Sequence, residues 1–284
     1  MSQYSSAPKQ RSREQWHSVL RSRNITPARS MGQNFLVEPD VVRSIVDVAG
    51  IEAGDRVVEV GPGLGILTRE LLGRAAHVFA IELDRDLVTF LERDFAGVEN
   101  LTLIERDARH VELESIVGGG EYHVVANLPY STGTVIIRRF LELDRAPKTM
   151  TVMVQREVAE RMIATAPDVS LLSIATQLFA EAEVSFTVPP DAFLPPPKVE
   201  SAVVRMVLRD TPMASPVEIE TLFRLATMAF QRKRKTMSNG LSQGLGVSKP
   251  EAEAMLERAG IVASLRPQAV PLDAWISLAR VAST

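Results

Sequence analysis

The sequence predicts an α/β fold: a mostly parallel sheet covered on both faces, finished at one edge by antiparallel strands and followed by a small helical domain. Three observations carry this. Short runs rich in β-branched residues recur along the chain: DRVVEV (55–60), HVFAIEL (77–83), LTLIER (101–106), YHVVANL (122–128) and MTVMVQ (150–155). Four of these five runs lead into stretches of helical spacing, and continuous apolar strands alternating with helices are the pattern of a parallel sheet buried on both sides. After Asp210 the strand-like runs cease, and the rest of the chain is helical in pattern.

Taken in order, the first 30 residues are polar and basic: Lys9, Arg11, Arg13, Arg21, Arg23 and Arg29 stand against Glu14 alone, six charges against one, or +5. An amphipathic helix opens at Pro39 (PDVVRSIVDVAG), with proline suited to a first turn and Gly50 to its end. The run 55–60 leads through a glycine loop into ILTRELLGR, 77–83 into DRDLVTFLERDF, 122–128 into TGTVIIRRFLEL, and 150–155 into EVAERMIA. Two later runs, EVSFTVPP (183–190) and SAVVRMVLR (201–209), have no helix between them and predict the antiparallel edge. TPMASP then reads as a linker, which places the boundaries at 1–38, 39–211 and 212–284.

Composition narrows the chemistry. The chain has 284 residues, enough for a large core and an appendage, and 45% of them are hydrophobic, ordinary for a globular protein. It has no cysteine, which removes disulfides, a thiolate nucleophile and Cys-based metal sites, and its four histidines lack ligand-like spacing, so no metal is expected. No run approaches the roughly 18 apolar residues of a membrane span, and the N-terminus has no apolar signal core. The net charge of −3 hides a second basic stretch between Glu220 and Glu251, with Arg232, Lys233, Arg234 and Lys235 consecutive. Clustered charge of this kind suits a phosphate backbone, although either cluster alone also reads as a solvated tail or helix end.

Gly61, Gly63 and Gly65 follow the first strand, where open α/β sheets bind ligands. Their spacing is not the dinucleotide fingerprint, whose third glycine would fall at Ile66, and Pro62 removes a backbone donor a pyrophosphate would use. Both features favour a nucleoside cofactor without phosphates over NAD. Glu82 closes the second strand and can accept from a ribose diol, while Asp107 closes the third and can accept from an adenine amino group. Singly, each acid reads as well as a helix cap or a solvated turn. Three motifs at successive strand ends point to adenosyl binding.

The most specific signal is Asn127-Leu128-Pro129-Tyr130 after the fourth strand. It resembles the Asn/Asp-Pro-Pro-Tyr/Phe loop of amino-directed methyltransferases, in the variant of the rRNA adenine dimethyltransferase family. MGQNFLVEP (31–39), EVGPGLGILT (59–68), IELDRDL (81–87), RDA (106–108), QREVAERM (155–162), VPPDAFLPPPKVESAVV (188–204) and AFQRKRKTMSN (229–239) follow in that family's order. The resemblance implies a Rossmann-like class I methyltransferase that uses S-adenosyl-L-methionine to dimethylate two adjacent adenosines near the 3′ end of 16S rRNA. It further implies a cytoplasmic monomer whose partner is the small ribosomal subunit or its precursor, without a membrane. Carried over by motif, cofactor contacts fall on Asn34, Leu36, Gly61, Gly63, Glu82, Asp107 and Asn127. Residues 1–38 become a basic arm and cofactor lid, 39–211 the methyltransferase domain and 212–284 an RNA-binding domain. The chain departs from the family in STGT after the loop and in ATAPDVSLLS (164–173), which lacks the usual glycine-rich run.

The chemistry can be read from the residues as well. An adenine amino group is a weak nucleophile because its lone pair is delocalised, whereas a sulfonium methyl is already activated. Alignment is then the main task, and positioning can supply roughly 7–11 kcal/mol. The Asn127 side chain and the Leu128 carbonyl can accept both amino hydrogens, Pro129 stiffens the loop, and Tyr130 and Phe193 offer faces to an extruded base. Phe193 reads equally as a core residue. Arg232 to Lys235 would grip phosphates. Rival readings are a large-subunit rRNA methyltransferase, a non-catalytic nucleic-acid-binding factor on the same fold, and an NAD-dependent oxidoreductase, against which the glycine spacing and the NLPY loop stand.

Overall fold

The structure is a computed structural model, and it describes residues 9–23, 33–232 and 234–283. Met31 and Gly32 of the first family motif, Arg29 and Lys233 lie outside the described residues. Two compact units divide the chain: one runs up to Ala159 and includes Glu183–Leu208, and the other comprises Glu160–Ala182 and the chain from Arg209 onward.

In chain order, helix α1 (Arg13–Ser22) precedes a two-residue strand β1 (Phe35–Leu36) and α2 (Pro39–Ala49). Then β2 (Arg56–Val60), α3 (Ile66–Leu72), β3 (His77–Glu82), α4 (Arg85–Asp94), β4 (Leu101–Glu105), α5 (Leu113–Val117), β5 (His123–Asn127), α6 (Gly133–Leu141), β6 (Thr149–Gln155) and α7 (Arg156–Ile163) alternate. Strands β7 (Ala180–Val188), β8 (Phe193–Leu194) and β9 (Ser201–Leu208) complete the order, with α8 (Leu171–Phe179) before them. The large sheet runs β4-β3-β2-β5-β6-β9-β7. β2 pairs in parallel with β3 and β5, and β5 with β6, while β9 runs antiparallel to β6 in the register Val152↔Val204. The predicted parallel sheet and antiparallel edge are therefore present.

Strand order reverses between β2 and β5, and this is where ligands bind in open α/β sheets, outside the carboxyl ends of the strands. The glycine loop leaves β2 and the NLPY loop leaves β5, so adjacency of the two strands brings the two motifs together. Val57, Val58, Val124 and Val125 in these strands are essentially inaccessible and anchor both loops on a rigid core.

The sequence reading missed three features. One is α1, inside the basic arm: Ser12 and Gln15 form a capping box, and Trp16 is buried at 0% exposure. Another is the pairing of β1 with β8, Phe35↔Leu194 and Leu36↔Phe193, which joins residues some 160 positions apart in sequence and ties the lid segment to the FLPPP segment. The third is α8. Its Ile174 and Leu178 are buried, and its end accepts backbone bonds from Arg209 and Met213 (Phe179 O 2.8 Å, Leu178 O 3.1 Å). These bonds explain why Glu160–Ala182 belongs to the second unit rather than to an uninterrupted 39–211 domain.

The second unit continues with α9 (Pro216–Phe230), α10 (Met237–Leu245), α11 (Lys249–Arg258) and α12 (Leu272–Ser283). Ser215 and Ser248 each form a capping box with a Glu three residues on, and both helices carry proline in their first turn. Phe230 stacks on the buried Trp275, ring centroids 5.8 Å apart, joining α9 to α12. No helix among the described residues is long and apolar enough to cross a membrane.

Candidate active site

A cavity of about 260 Å³ opens at the carboxyl ends of β2, β3 and β5. Asn34, Leu36, Gly61, Gly63, Glu82 and Asn127 line it, as do Leu128, Pro129, Tyr130 and Phe193. Ten of the residues singled out from sequence thus converge on one space, drawn from segments between positions 34 and 193.

The glycine loop bends sharply because Gly61, Gly63 and Gly65 all have positive φ (72°, 57° and 72°). A Cβ on Gly63 would lie 3.1 Å from the Phe35 ring, and one on Gly65 would lie 2.5 Å from the Phe95 ring. The loop therefore needs glycine both for its backbone and for the aromatic rings pressed against it. The Gly61 amide donates to Ile81 O at 2.9 Å, which fixes the loop against β3.

Glu82 is nearly buried, and its carboxylate is already organised: Oε2 accepts from the Gly63 amide at 3.1 Å, and Oε1 from the amides of Leu83 (2.8 Å) and Asp84 (3.0 Å). Burial raises its pKa, while those three amides pull the other way. Each carboxylate oxygen has about two acceptor positions, so Oε2 keeps capacity for a ligand hydroxyl. Leu83, 53% exposed, presents an apolar face in the same wall. Asp107 does not line the cavity. Its carboxylate faces Arg109, which donates through Nε (3.0 Å to each oxygen), Nη2 (2.6 Å) and its amide (2.9 Å), and this pairing holds the carboxyl below its usual range.

In the NLPY loop, the Leu128 amide donates to Met153 O at 3.1 Å, extending the β5–β6 ladder by one bond. The Pro129 carbonyl accepts from the amides of Thr132 (3.2 Å) and Gly133 (2.9 Å), which starts α6; the Leu128 carbonyl is not among these acceptors. The Tyr130 hydroxyl lies 2.7 Å from Ser201 Oγ at the start of β9, and burial raises the phenol's pKa. Phe193 is only 1% exposed, so it forms a cavity wall and a core residue at once.

The sequence reading overlooked Glu59, the fourth residue of β2. It is 1% exposed, lines the cavity, and its carboxyl oxygens have no hydrogen-bond partner among the described residues. Burial pushes its pKa up to about 8, with the Glu82 carboxylate adding to the rise, against weaker opposing pulls from Thr68, which lies near without completing a hydrogen bond, and from the Arg69 guanidinium. The signal was present: Glu59 is the one acid inside the run VVEV. In the second unit, Arg232, Arg234 and Lys235 occupy the turn between α9 and α10, with Arg234 and Lys235 exposed. Among the described residues no group of His, Cys, Asp and Glu could hold a metal.

The model of the ribosomal RNA adenine dimethylase family matches residues 26–282. The chain belongs to that family. Among relatives, the ribosomal RNA small subunit methyltransferase A of Dehalococcoides mccartyi strain BAV1 is 39% identical over 251 residues, covering 88% of this chain and 86% of that protein. The one from Moorella thermoacetica is 38% identical over 274 residues, covering 93% and 95%. Among solved structures, the 23S rRNA methyltransferase ErmE superposes with TM-score 0.69 at 26% identity, covering 87% of this chain and 99% of that one. A dimethyladenosine transferase from Plasmodium falciparum gives TM-score 0.72 at 24% identity over 85% and 94%, a likeness of fold. The chain is a Rossmann-like class I methyltransferase in fold and, as a ribosomal RNA adenine dimethylase family member, not a nicotinamide oxidoreductase.

Proposed function

We propose that this family member dimethylates the N6 of two adjacent adenosines near the 3′ end of small-subunit (16S) rRNA, using S-adenosyl-L-methionine, in the cytoplasm and as a monomer. The observation that carries the reading is the convergence of the NLPY loop, the glycine loop and Glu82 on one cavity.

The donor set fits the cofactor. Glu82 retains an acceptor for a ribose diol, and Glu59 is a buried carboxyl with no hydrogen bond among the described residues, complementary to a cationic ligand. Asn34, Leu36, Gly61 and Gly63 would enclose it, with Asn127 at its reacting end. Asp107 would contribute only if it exchanged Arg109 for the adenine amino group. When bound, S-adenosylmethionine supplies a methyl group already activated on sulfur. The chain's own work is then to present the base. The Asn127 Oδ1 and the Leu128 carbonyl accept the two amino hydrogens, which releases the nitrogen lone pair from the ring. Pro129 keeps that carbonyl in place, and the Tyr130 ring, tethered through Ser201, stacks on the extruded base. Phe193 supports the opposite wall.

Arg232, Lys233, Arg234 and Lys235 would bind phosphates. We expect a variant with all four neutralised to bind rRNA with a shallower dependence on salt, the logarithmic slope falling by roughly 0.7–0.9 per lost phosphate contact; an unchanged slope would remove these residues from the interface. Arg11 and Arg13 are less available than the sequence suggests, since Arg11 pairs with Asp94 and Arg13 donates to the Asp191 carbonyl.

The deciding experiment is transfer of labelled methyl groups to small subunits lacking the adenine dimethylations, with large subunits in parallel. Dimethyladenine in the small subunit alone is the expected outcome. Label in the large subunit would move the substrate to the one named for ErmE. No label in either, with cofactor binding intact, would leave a binding role.

A further inference from the structure

Three consecutive carbonyls at the end of the glycine loop are held by side chains from outside the cavity. Arg69 Nη1 donates to Leu64 O at 3.0 Å and Gly65 O at 2.5 Å, and Gln10 Nε2 donates to Ile66 O at 2.8 Å. Leu64 and Ile66 also line the cavity, so the same residues that form its wall are gripped from behind.

Arg69 is the centre of this grip. Its side chain is 1% exposed, and its guanidinium lies between two rings, 5.0 Å from the centroid of Trp16 and 4.6 Å from that of Phe95. Asp94 pairs with Arg69 and with Arg11, whose own guanidinium covers Trp16 at 4.9 Å. A guanidinium fixed by one carboxylate, two ring faces and two carbonyls has little freedom left. Two of those restraints, Trp16 and the Arg11-held Asp94, depend on the N-terminal arm. The same arm reaches the other side of the cavity: Arg13 donates to the carbonyl of Asp191, two residues before Phe193. Trp16 contributes by its ring, since its buried indole N–H has no partner among the described residues.

We propose that the start of α1 and the residues just before it are a positioning element of the cofactor cavity: Trp16 and Arg11 fix Arg69, and Arg69 sets the glycine loop. The arm thereby tunes cofactor affinity rather than the chemical step. None of these residues touches the reacting atoms; they are positioning residues. The proposal rests on the cavity being the S-adenosylmethionine site.

The test compares the full-length protein with Trp16→Ala, Trp16→Phe and Arg11→Ala. It reads S-adenosylmethionine affinity, kcat at saturating cofactor, and hydrogen exchange of the amides from Gly63 to Thr68. Trp16→Ala is expected to weaken cofactor binding about tenfold, with kcat within about threefold, and to speed exchange in that loop. Trp16→Phe, which keeps a ring over Arg69, should restore most of both. Arg11→Ala, at a partly exposed position, should shift both in the same direction by about threefold, and it carries the test should Trp16→Ala fail to fold. A lowered melting temperature with unchanged affinity and unchanged loop exchange would overturn the proposal. The exchange measurement needs no ligand, so a wild-type protein that bound no S-adenosylmethionine would refute the cofactor reading and still leave the grip on the loop to be judged.

Discussion

Asn127→Ala should lower kcat by a factor on the order of 10²–10³ while S-adenosylmethionine affinity stays within about threefold. The side chain sits at the carboxyl end of β5, in register with Met153 of β6, so its backbone is held by the sheet and survives truncation. On the proposed mechanism, what is lost is one of two acceptors for the amino hydrogens of the target base. Without it the lone pair stays in the ring, and the remaining acceptor, the Leu128 carbonyl, cannot hold the amino group alone. Removing one pre-set polar contact of this type costs roughly 2.7–4 kcal/mol in transition-state stabilisation, which sets the expected factor. Asn127→Asp keeps an acceptor in place and should recover part of the rate. Single-turnover methyl transfer and equilibrium cofactor binding separate the two effects. Unchanged turnover in Asn127→Ala would sink the mechanism, and loss of cofactor affinity equal to the loss of rate would reassign Asn127 to cofactor binding alone.

How much of this was visible in the sequence depends on the distance over which the signal is encoded. The β2 to β6 core was legible because each strand is a local run of β-branched residues, and the motifs at their ends inherit their positions from strand order. The lid was only half legible. Asn34 and Leu36 were assigned to the cavity, yet nothing local announces that Leu36 pairs with Phe193, because a two-residue strand has no periodicity to read. Asp107 shows the opposite limit. Its place at a strand end was right, but the orientation of its carboxylate is decided by Arg109, two residues on, which competes for it. Trp16 and Arg69 escaped notice because a tryptophan in a basic tail reads as exposed and an arginine in an amphipathic helix reads as solvated. Their burial is a tertiary event, in which each hides the other.

Glu59→Gln should stabilise the ligand-free protein at alkaline pH and weaken cofactor binding. The sign comes from the direction of the shift. An ordinary glutamate titrates near 4.5, and burial holds Glu59 at about 8 in the folded chain. Below 4.5 the group is protonated in both states and costs nothing. Between 4.5 and about 8 the unfolded chain releases a proton that the folded chain keeps, so stability falls steadily as pH rises. Above about 8 the loss is complete, with a ceiling of roughly 5 kcal/mol that relaxation and water entry reduce. The amide keeps the shape of the side chain and cannot ionise. The melting temperature of Glu59→Gln should therefore exceed that of the wild type by several degrees at pH 8.5, and the two should converge by pH 5. Cofactor reverses the balance: a cationic ligand facing the carboxylate stabilises the ionised form, so wild-type affinity should rise with pH across the same window, while that of Glu59→Gln stays flat and at least about tenfold weaker at pH 8. A melting gap independent of pH would mean that Glu59 is ionised and satisfied in the folded protein. Equal affinities at pH 8 would mean that the cation lies elsewhere in the cavity. If both effects appear together, the most deeply buried acid among the described residues is retained at a cost to the empty protein because it becomes the cofactor's counter-charge.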